Sequence, residues 1–247
     1  MIKKLLSFYF LLFISFISFS QVQTYYNDVD KTLTGLALKN ALTTKITDTH
    51  TNILDYTPGV WEASKITDAN LTNASEVTLI YGWENGTDSD NTNDLYRDNT
   101  LQDTGSGDSF RWNREHVYSK SLANPSFTTD QPGPGTDAHN LRPADRERNS
   151  TRNNFKFGEG TGNSGFSSVT YSGPSGPNTA AWFPGDEWKG DVARMMMYMY
   201  VRYGAQCLPT GVGVGDNQFT PDDMIDLFLQ WNEKDPVSDL EKARNTY

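Results

Sequence analysis

FRWNREHVYSKS (residues 110–121), followed after a Gly/Pro/Thr-rich excursion by DAHNLRPADRERNSTRNNFKF (137–157), decides how the rest of the chain is read. It holds two of the three histidines, a Glu directly before one of them, and Asn and Arg at helical spacing. One carboxylate, one imidazole, one amide and several guanidinium groups form the set that single-cation phosphodiester hydrolysis needs. That chemistry requires a nucleophilic water, neutralised phosphoryl oxygens and help for the departing oxygen. His116 is the candidate general base, because neutral imidazole accepts a proton from water when its other nitrogen is held by a carbonyl. Glu115 offers a hard oxygen to a hard cation, most simply Mg²⁺, which takes one or two protein ligands and keeps its waters. Asn149 is the candidate second ligand through its amide oxygen. ADRERNSTRNN (144–154) reads as a helix, so Asp145, Asn149 and Arg152 share a face and bring a metal ligand and a phosphate-binding guanidinium to one place. Successive strand residues face opposite ways, so Glu115 and His116 converge on one phosphate only where the backbone twists or bulges.

Charge isolates the same window. From Arg111 to Lys156 there are eight basic and five acidic residues, inside a chain of 21 basic and 31 acidic residues with net charge −10. A general nucleic-acid binder is basic throughout. A local cationic patch on an acidic body instead suits an enzyme that grips a few phosphates and releases them.

The first twenty residues, MIKKLLSFYFLLFISFISFS, carry two lysines, an apolar run and small residues before Gln21, the pattern of a secretory signal peptide. Residues 21–247 are expected to form one domain, soluble outside the cytoplasm, with no membrane contact once the signal is cut. Only one cysteine exists, Cys207, so no internal disulfide can form; it reads as a buried or half-buried thiol.

Apolar residues from Leu33 to Leu54 recur at three- and four-residue intervals and predict a helix starting near Gly35 after Thr34. Residues 57–75 read as a helix or turn feeding a strand over VTLIY (77–81). ENGTDSDNTND (84–94) resembles a calcium loop but lacks the turn Gly and the closing Glu of an EF-hand, and reads as a solvated loop. Residues 158–180 are Gly/Ser/Pro-rich and predict a loop with a short hairpin near Val169–Tyr171. KGDVARMMMYMYVRY (189–203) predicts a strong helix capped by Asp186, its Met and Tyr side chains being core packing. TPDDMIDLFLQW (220–231) predicts a last helix with Thr220 at its N-cap and Pro221 in its first turn. His50 reads as a surface or packing residue.

The motifs REHV (114–117), DAHNLRP (137–143) and RNSTRNNF (148–155) resemble the ββα-metal (His-Me finger) nuclease motif, and most closely the secreted bacterial endonuclease I family. The resemblance continues through DEWKGDVARMMMYMYVRY (186–203) and DPVS (235–238). It implies a mixed α+β fold, with a ββα-metal core at about 110–157 and flanking helices. It further implies His116 as base, and Glu115 and Asn149 as ligands of Mg²⁺, with Mn²⁺ or Ca²⁺ as substitutes. His139 and Asn140 would lie in the second strand, Asn140 tying the hairpin loop to backbone. Arg152 and Asn153 would lie near the scissile phosphate, with Arg114 and Arg148 binding phosphate or supporting the hairpin. The implied reaction is metal-dependent, largely sequence-independent cutting of DNA, often RNA too, to 5′-phosphate ends by a monomer. Members usually continue beyond the segment matching Arg244–Tyr247, and some carry disulfides that this chain cannot form. The rival reading is a non-catalytic extracellular module stabilised by calcium at 84–94, with Trp and Tyr stacking on sugars.

Overall fold

The computed structural model describes residues 25–105 and 107–247, so the signal-peptide reading of residues 1–20 lies outside the described residues. The spaced apolar residues after Thr34 form α1 (Gly35–Asp48), with extended Thr34 as its N-cap, but Ile53 and Leu54, read as part of the same spacing, lie beyond its end in irregular chain. A second helix, α2 (Gly59–Thr67), buries Val60, Trp61 and Ala63. It leads into an antiparallel sheet of β1 (Ala69–Asn70), β2 (Asn73–Thr78) and β3 (Tyr96–Asp98). The strand expected over 77–81 is therefore displaced towards the N-terminus. Tyr81 sits at φ 72°, which no strand accommodates, and Ile80 leaves the sheet to bridge Ala144.

The decisive window folds as two strands and a helix. Here β4 (Trp112–His116) pairs antiparallel with β5 (Leu141–Asp145), placing Glu115 opposite Arg142 and His116 opposite Leu141. The helix α3 (Arg146–Arg152) follows at once, because Asp145 ends the strand and caps the helix, its carboxylate accepting the Arg148 N–H at 2.8 Å. His139 and Asn140 do not belong to the second strand. They form a 3-10 turn, Ala138–Asn140, in which the Asp137 carboxylate accepts the His139 N–H and so holds the chain out of extended geometry. Asn140 still ties the connection: its Oδ1 accepts the Tyr118 N–H at 2.7 Å and its Nδ2 donates to the Tyr118 carbonyl at 3.2 Å.

The Gly/Ser/Pro-rich stretch is more ordered than its composition suggests. It forms a long hairpin, β6 (Gly165–Gly173) and β7 (Gly176–Phe183), closed by Gly176 at φ 108°. Backbone pairing needs no apolar side chain from β6, and Trp182 and Phe183 of β7 supply the buried anchor. Next comes α4 (Lys189–Tyr203), which buries Val192, Ala193, Met196, Met199 and Tyr200 in the core. Asp186 is not its cap; its carboxylate accepts the Gly162 N–H and pairs with the Lys189 ammonium, leaving Trp188 at the N-cap. A short α5 (Pro209–Val212) precedes α6 (Asp226–Lys234), whose Phe228 and Trp231 complete the main core. The α6 start lies well past Thr220, because the Asp226 carboxylate accepts the Gln218 and Phe219 N–H groups at 3.1 and 3.2 Å. This folds residues 218–225 back on themselves. Cys207 is buried, which pushes its thiol up to about 12.

A helix not anticipated above, α7 (Asp239–Arg244), starts with a reciprocal capping box between Ser238 and Glu241. The signal was present as S-D-L-E at 238–241. Ser238→Ala is expected to cost about 1 kcal/mol, and calorimetry would register this as a Tm lower by roughly 2–4 °C. From α7, Arg244 reaches Asp68, which also pairs with Arg142 of β5; Arg142 in turn meets Asp191 of α4 at 3.2 Å. This buried charge cluster locks the hairpin to both ends of the fold.

Candidate active site on the hairpin and helix

The helix α3 lies along one face of β4. Asn149 Nδ2 donates to Asn113 Oδ1 at 2.7 Å, and one turn later Arg152 meets Glu115 Oε1 at 3.2 Å. Asn113 and Glu115 are two residues apart on a strand, so they share a face about 7 Å apart. Glu115 and Asn149 therefore occupy neighbouring rungs. Glu115 is 3 % exposed, and burial pushes its carboxyl up to about 7 despite the pull of Arg152 and of the Tyr81 hydroxyl, which donates to Oε1 at 3.0 Å. Neither Glu115 Oε2 nor Asn149 Oδ1 accepts a hydrogen bond from a described residue. Two unengaged hard oxygens on adjoining rungs fit a cation such as Mg²⁺ that keeps most of its waters. Among the described residues no group of three or more His, Cys, Asp or Glu side chains could hold a metal, at the 84–94 loop or elsewhere. In that loop Glu84 is engaged with Gly86 and Thr87, and Asp90 with Thr92.

His116 leaves β4 on the other face. Its Nε2 lies 2.8 Å from the Gly135 carbonyl. A carbonyl only accepts, so Nε2 carries the proton and Nδ1 keeps its lone pair. The ring runs nearly parallel to Tyr56, 22° between planes and 5.8 Å between centroids. Burial lowers its pKa to about 4 against the opposing Gly135 bond, helped by Lys120, Arg114 and Arg152, so the imidazole is neutral through the neutral range. No hydrogen bond or ring contact joins the His116 ring to Glu115 or Asn149 among the described residues. A hollow of about 330 Å³ beside Asn113, Arg146, Glu147, Asn149 and Ser150 includes neither Glu115 nor His116. The pleat of the strand separates acid from imidazole. Beyond Trp112, which bridges Gln102, the outer edge of β4 has no strand partner among the described residues.

The guanidinium expected on the phosphate is elsewhere. Arg152 is fully buried; besides Glu115 it donates to the His116, Val117 and Asn153 carbonyls and to the Ser119 hydroxyl. It braces the turn after His116 and has no exposed donor for a phosphate. Asn153 is the exposed C-cap of α3 at φ 52°. The His139 ring lies against Tyr198, 4.3 Å between centroids. Arg114 is stacked on Tyr56 at 3.5 Å and Trp61 at 3.9 Å, and Arg148 on Trp83 at 4.2 Å.

The basic patch is thus smaller than its charge count. Arg142 and Arg152 are buried in ion pairs, Arg111 pairs with Asp108, and Arg146 with Asp103 and Glu147. Arg114, Lys120, Arg148 and Lys156 have no ion pair among the described residues. Lys120 begins the 3-10 turn just after Ser119 and acts on His116 electrostatically. Sequence reading counted it as charge and missed it as a site residue. It also missed Asn113 and Tyr56, which only the pairing of distant segments reveals, and Tyr81, whose hydroxyl reaches Glu115 from the end of the VTLIY run.

Two strands, a crossing loop and a helix, with the acid and the imidazole on the first strand and the amide on the helix, form a ββα unit within a mixed α+β nuclease fold. The Endonuclease I family model matches residues 34–247, and the chain belongs to the endonuclease I family. It is 39% identical over 233 residues to an extracellular ribonuclease of Bacillus amyloliquefaciens, a match covering 92% of this chain and 71% of that protein. It is 38% identical over 232 residues to an extracellular ribonuclease of Bacillus subtilis (strain 168), again with 92% and 71% covered. No helix among the described residues is long and apolar enough to cross a membrane.

Proposed function

We propose that this chain is a secreted, divalent-cation-dependent nuclease that hydrolyses phosphodiester bonds of DNA and RNA to 5′-phosphate ends, acting as a monomer. The observation that carries the reading is His116, neutral and held in one tautomer by Gly135, on the strand that also presents Glu115. The names of the two Bacillus relatives support both export and action on RNA. In this reading the scissile phosphate straddles the outer edge of β4, the one side from which both strand faces are reached. His116 Nδ1 takes a proton from the attacking water, and Nε2 keeps its proton on the Gly135 carbonyl, so the imidazolium that forms is stabilised in place. Glu115 and Asn149 would hold Mg²⁺, with Mn²⁺ or Ca²⁺ as substitutes. Such an ion, when bound there, would supply charge neutralisation for phosphodiester hydrolysis. Arg152 holds Glu115 and the turn after His116 in register, and Lys120 and Arg114 offer cationic contacts to flanking phosphates.

Plasmid DNA and a structured RNA, incubated with Mg²⁺ and then with chelator, test this directly. Both are expected to be cut with Mg²⁺ and spared with chelator; undiminished cleavage in chelator overturns the metal assignment, and no cleavage in any divalent ion overturns the nuclease reading. Glu115→Gln keeps the shape and removes the charge. It is expected to raise the half-saturating Mg²⁺ concentration by about 10–100-fold or more. Lys120→Ala is expected to weaken binding of every sequence alike and to flatten the log–log salt dependence by about 0.7–0.9, the contribution of one phosphate contact.

A further inference from the structure

We infer that the aromatic strip beside α3, built from Trp83, Arg148, Phe155 and Phe166, is a stacking platform for unpaired bases next to the scissile phosphate, which favours single-stranded substrates. The inference rests on the nuclease reading above and adds a substrate class to it. Phe166 is 55 % exposed, although it is held on two sides: its ring stands nearly perpendicular to that of buried Trp182, 5.5 Å and 87°, and to that of Phe155, 5.1 Å and 86°. A ring packed in this way and still more than half exposed has surface left for something else. Arg148 continues the strip, its guanidinium 4.2 Å from the Trp83 ring and 5.7 Å from the Trp182 ring, with Nη2 donating to the Ser164 carbonyl at 3.2 Å. The strip borders the helix that carries Asn149: Arg148 lies on α3, and Phe155 follows the helix end, its N–H bonded to the Arg152 carbonyl.

The occupant follows from charge and shape. A net charge of −10 repels a polyanion over most of this surface, so grip must come from few cations and from contacts that salt does not screen. Exposed aromatic faces beside a stacked guanidinium supply that contact for a nucleobase of any sequence. In a duplex the base faces are already stacked on their neighbours, so only an unpaired strand can lay a base on Phe166.

The test compares wild type, Phe166→Ala and Phe166→Tyr on one sequence presented as a single strand, as a duplex, and as a single strand with abasic sites flanking the cleavage point. Phe166→Ala is expected to raise KM for the single strand about tenfold, with kcat on it and cleavage of the duplex at wild-type values. Phe166→Tyr keeps the ring and the single-strand KM. The abasic strand is expected to cost wild type the same factor and Phe166→Ala nothing more. Equal losses on single strand and duplex, no loss on the single strand, or indifference of wild type to the abasic sites each overturns the platform. Anisotropy of a labelled single strand, bound in chelator, is read alongside. If wild type cuts nothing, the nuclease reading fails, and the anisotropy alone decides the platform: binding unchanged by Phe166→Ala overturns it, and about tenfold weaker binding sustains it.

Discussion

His116→Ala is expected to lower kcat by about 10²–10⁴-fold, the usual contribution of a positioned general base. The fold is expected to survive, since the change removes one hydrogen bond to Gly135, worth about 1 kcal/mol net. Binding of a labelled strand in chelator is expected to stay near the wild-type value, because no phosphate contact is assigned to the imidazole. A gel nicking assay beside a thermal melt separates these outcomes. Plasmid cut at the wild-type rate by the variant would falsify the assignment of His116 as base.

Arg152→Ala is expected to act first on stability. The guanidinium is fully buried against Glu115, three backbone carbonyls and the Ser119 hydroxyl. Removing the guanidinium leaves the Glu115 carboxyl and four further acceptors without their donor and costs about 3–5 kcal/mol. For a chain of this size that lowers Tm by roughly 6–20 °C. A residue serving only the transition state would lose activity at unchanged Tm. A melt within a degree of wild type therefore sinks the bracing role assigned here.

The helix carrying Asn149 and Arg152 was legible in the sequence because its signals are local. Asp145 caps the third residue on, and four- and three-residue spacing sets one face. The alternation of β4 was equally legible, and it sets Glu115 and His116 at successive positions of opposite facing; that the outer edge of β4 is left without a strand partner among the described residues depends on distant segments. Arg152 was misread because its partners are carbonyls of residues 116, 117 and 153, which composition does not show. The β6–β7 hairpin was read as far shorter than it is, confined to Val169–Tyr171, for a related reason, since Gly and Ser give no apolar alternation while their backbones pair as well as any. Thr220 and Pro221 resembled a helix start, but the Asp226 carboxylate competes for the preceding N–H groups and moves the start.

The Arg142 contacts to Asp191 and Asp68 described above, together with a buried pair between Arg97 of β3 and Asp145 at the end of β5, join segments 49, 74 and 48 residues apart. They perform the stapling that sulfur performs in many small exported proteins, and the lone thiol is sealed in the interior. Such staples form and break without an oxidant. Refolding from denaturant should therefore proceed alike in dithiothreitol and in air, with no mispaired isomers to sort and no need of an oxidoreductase.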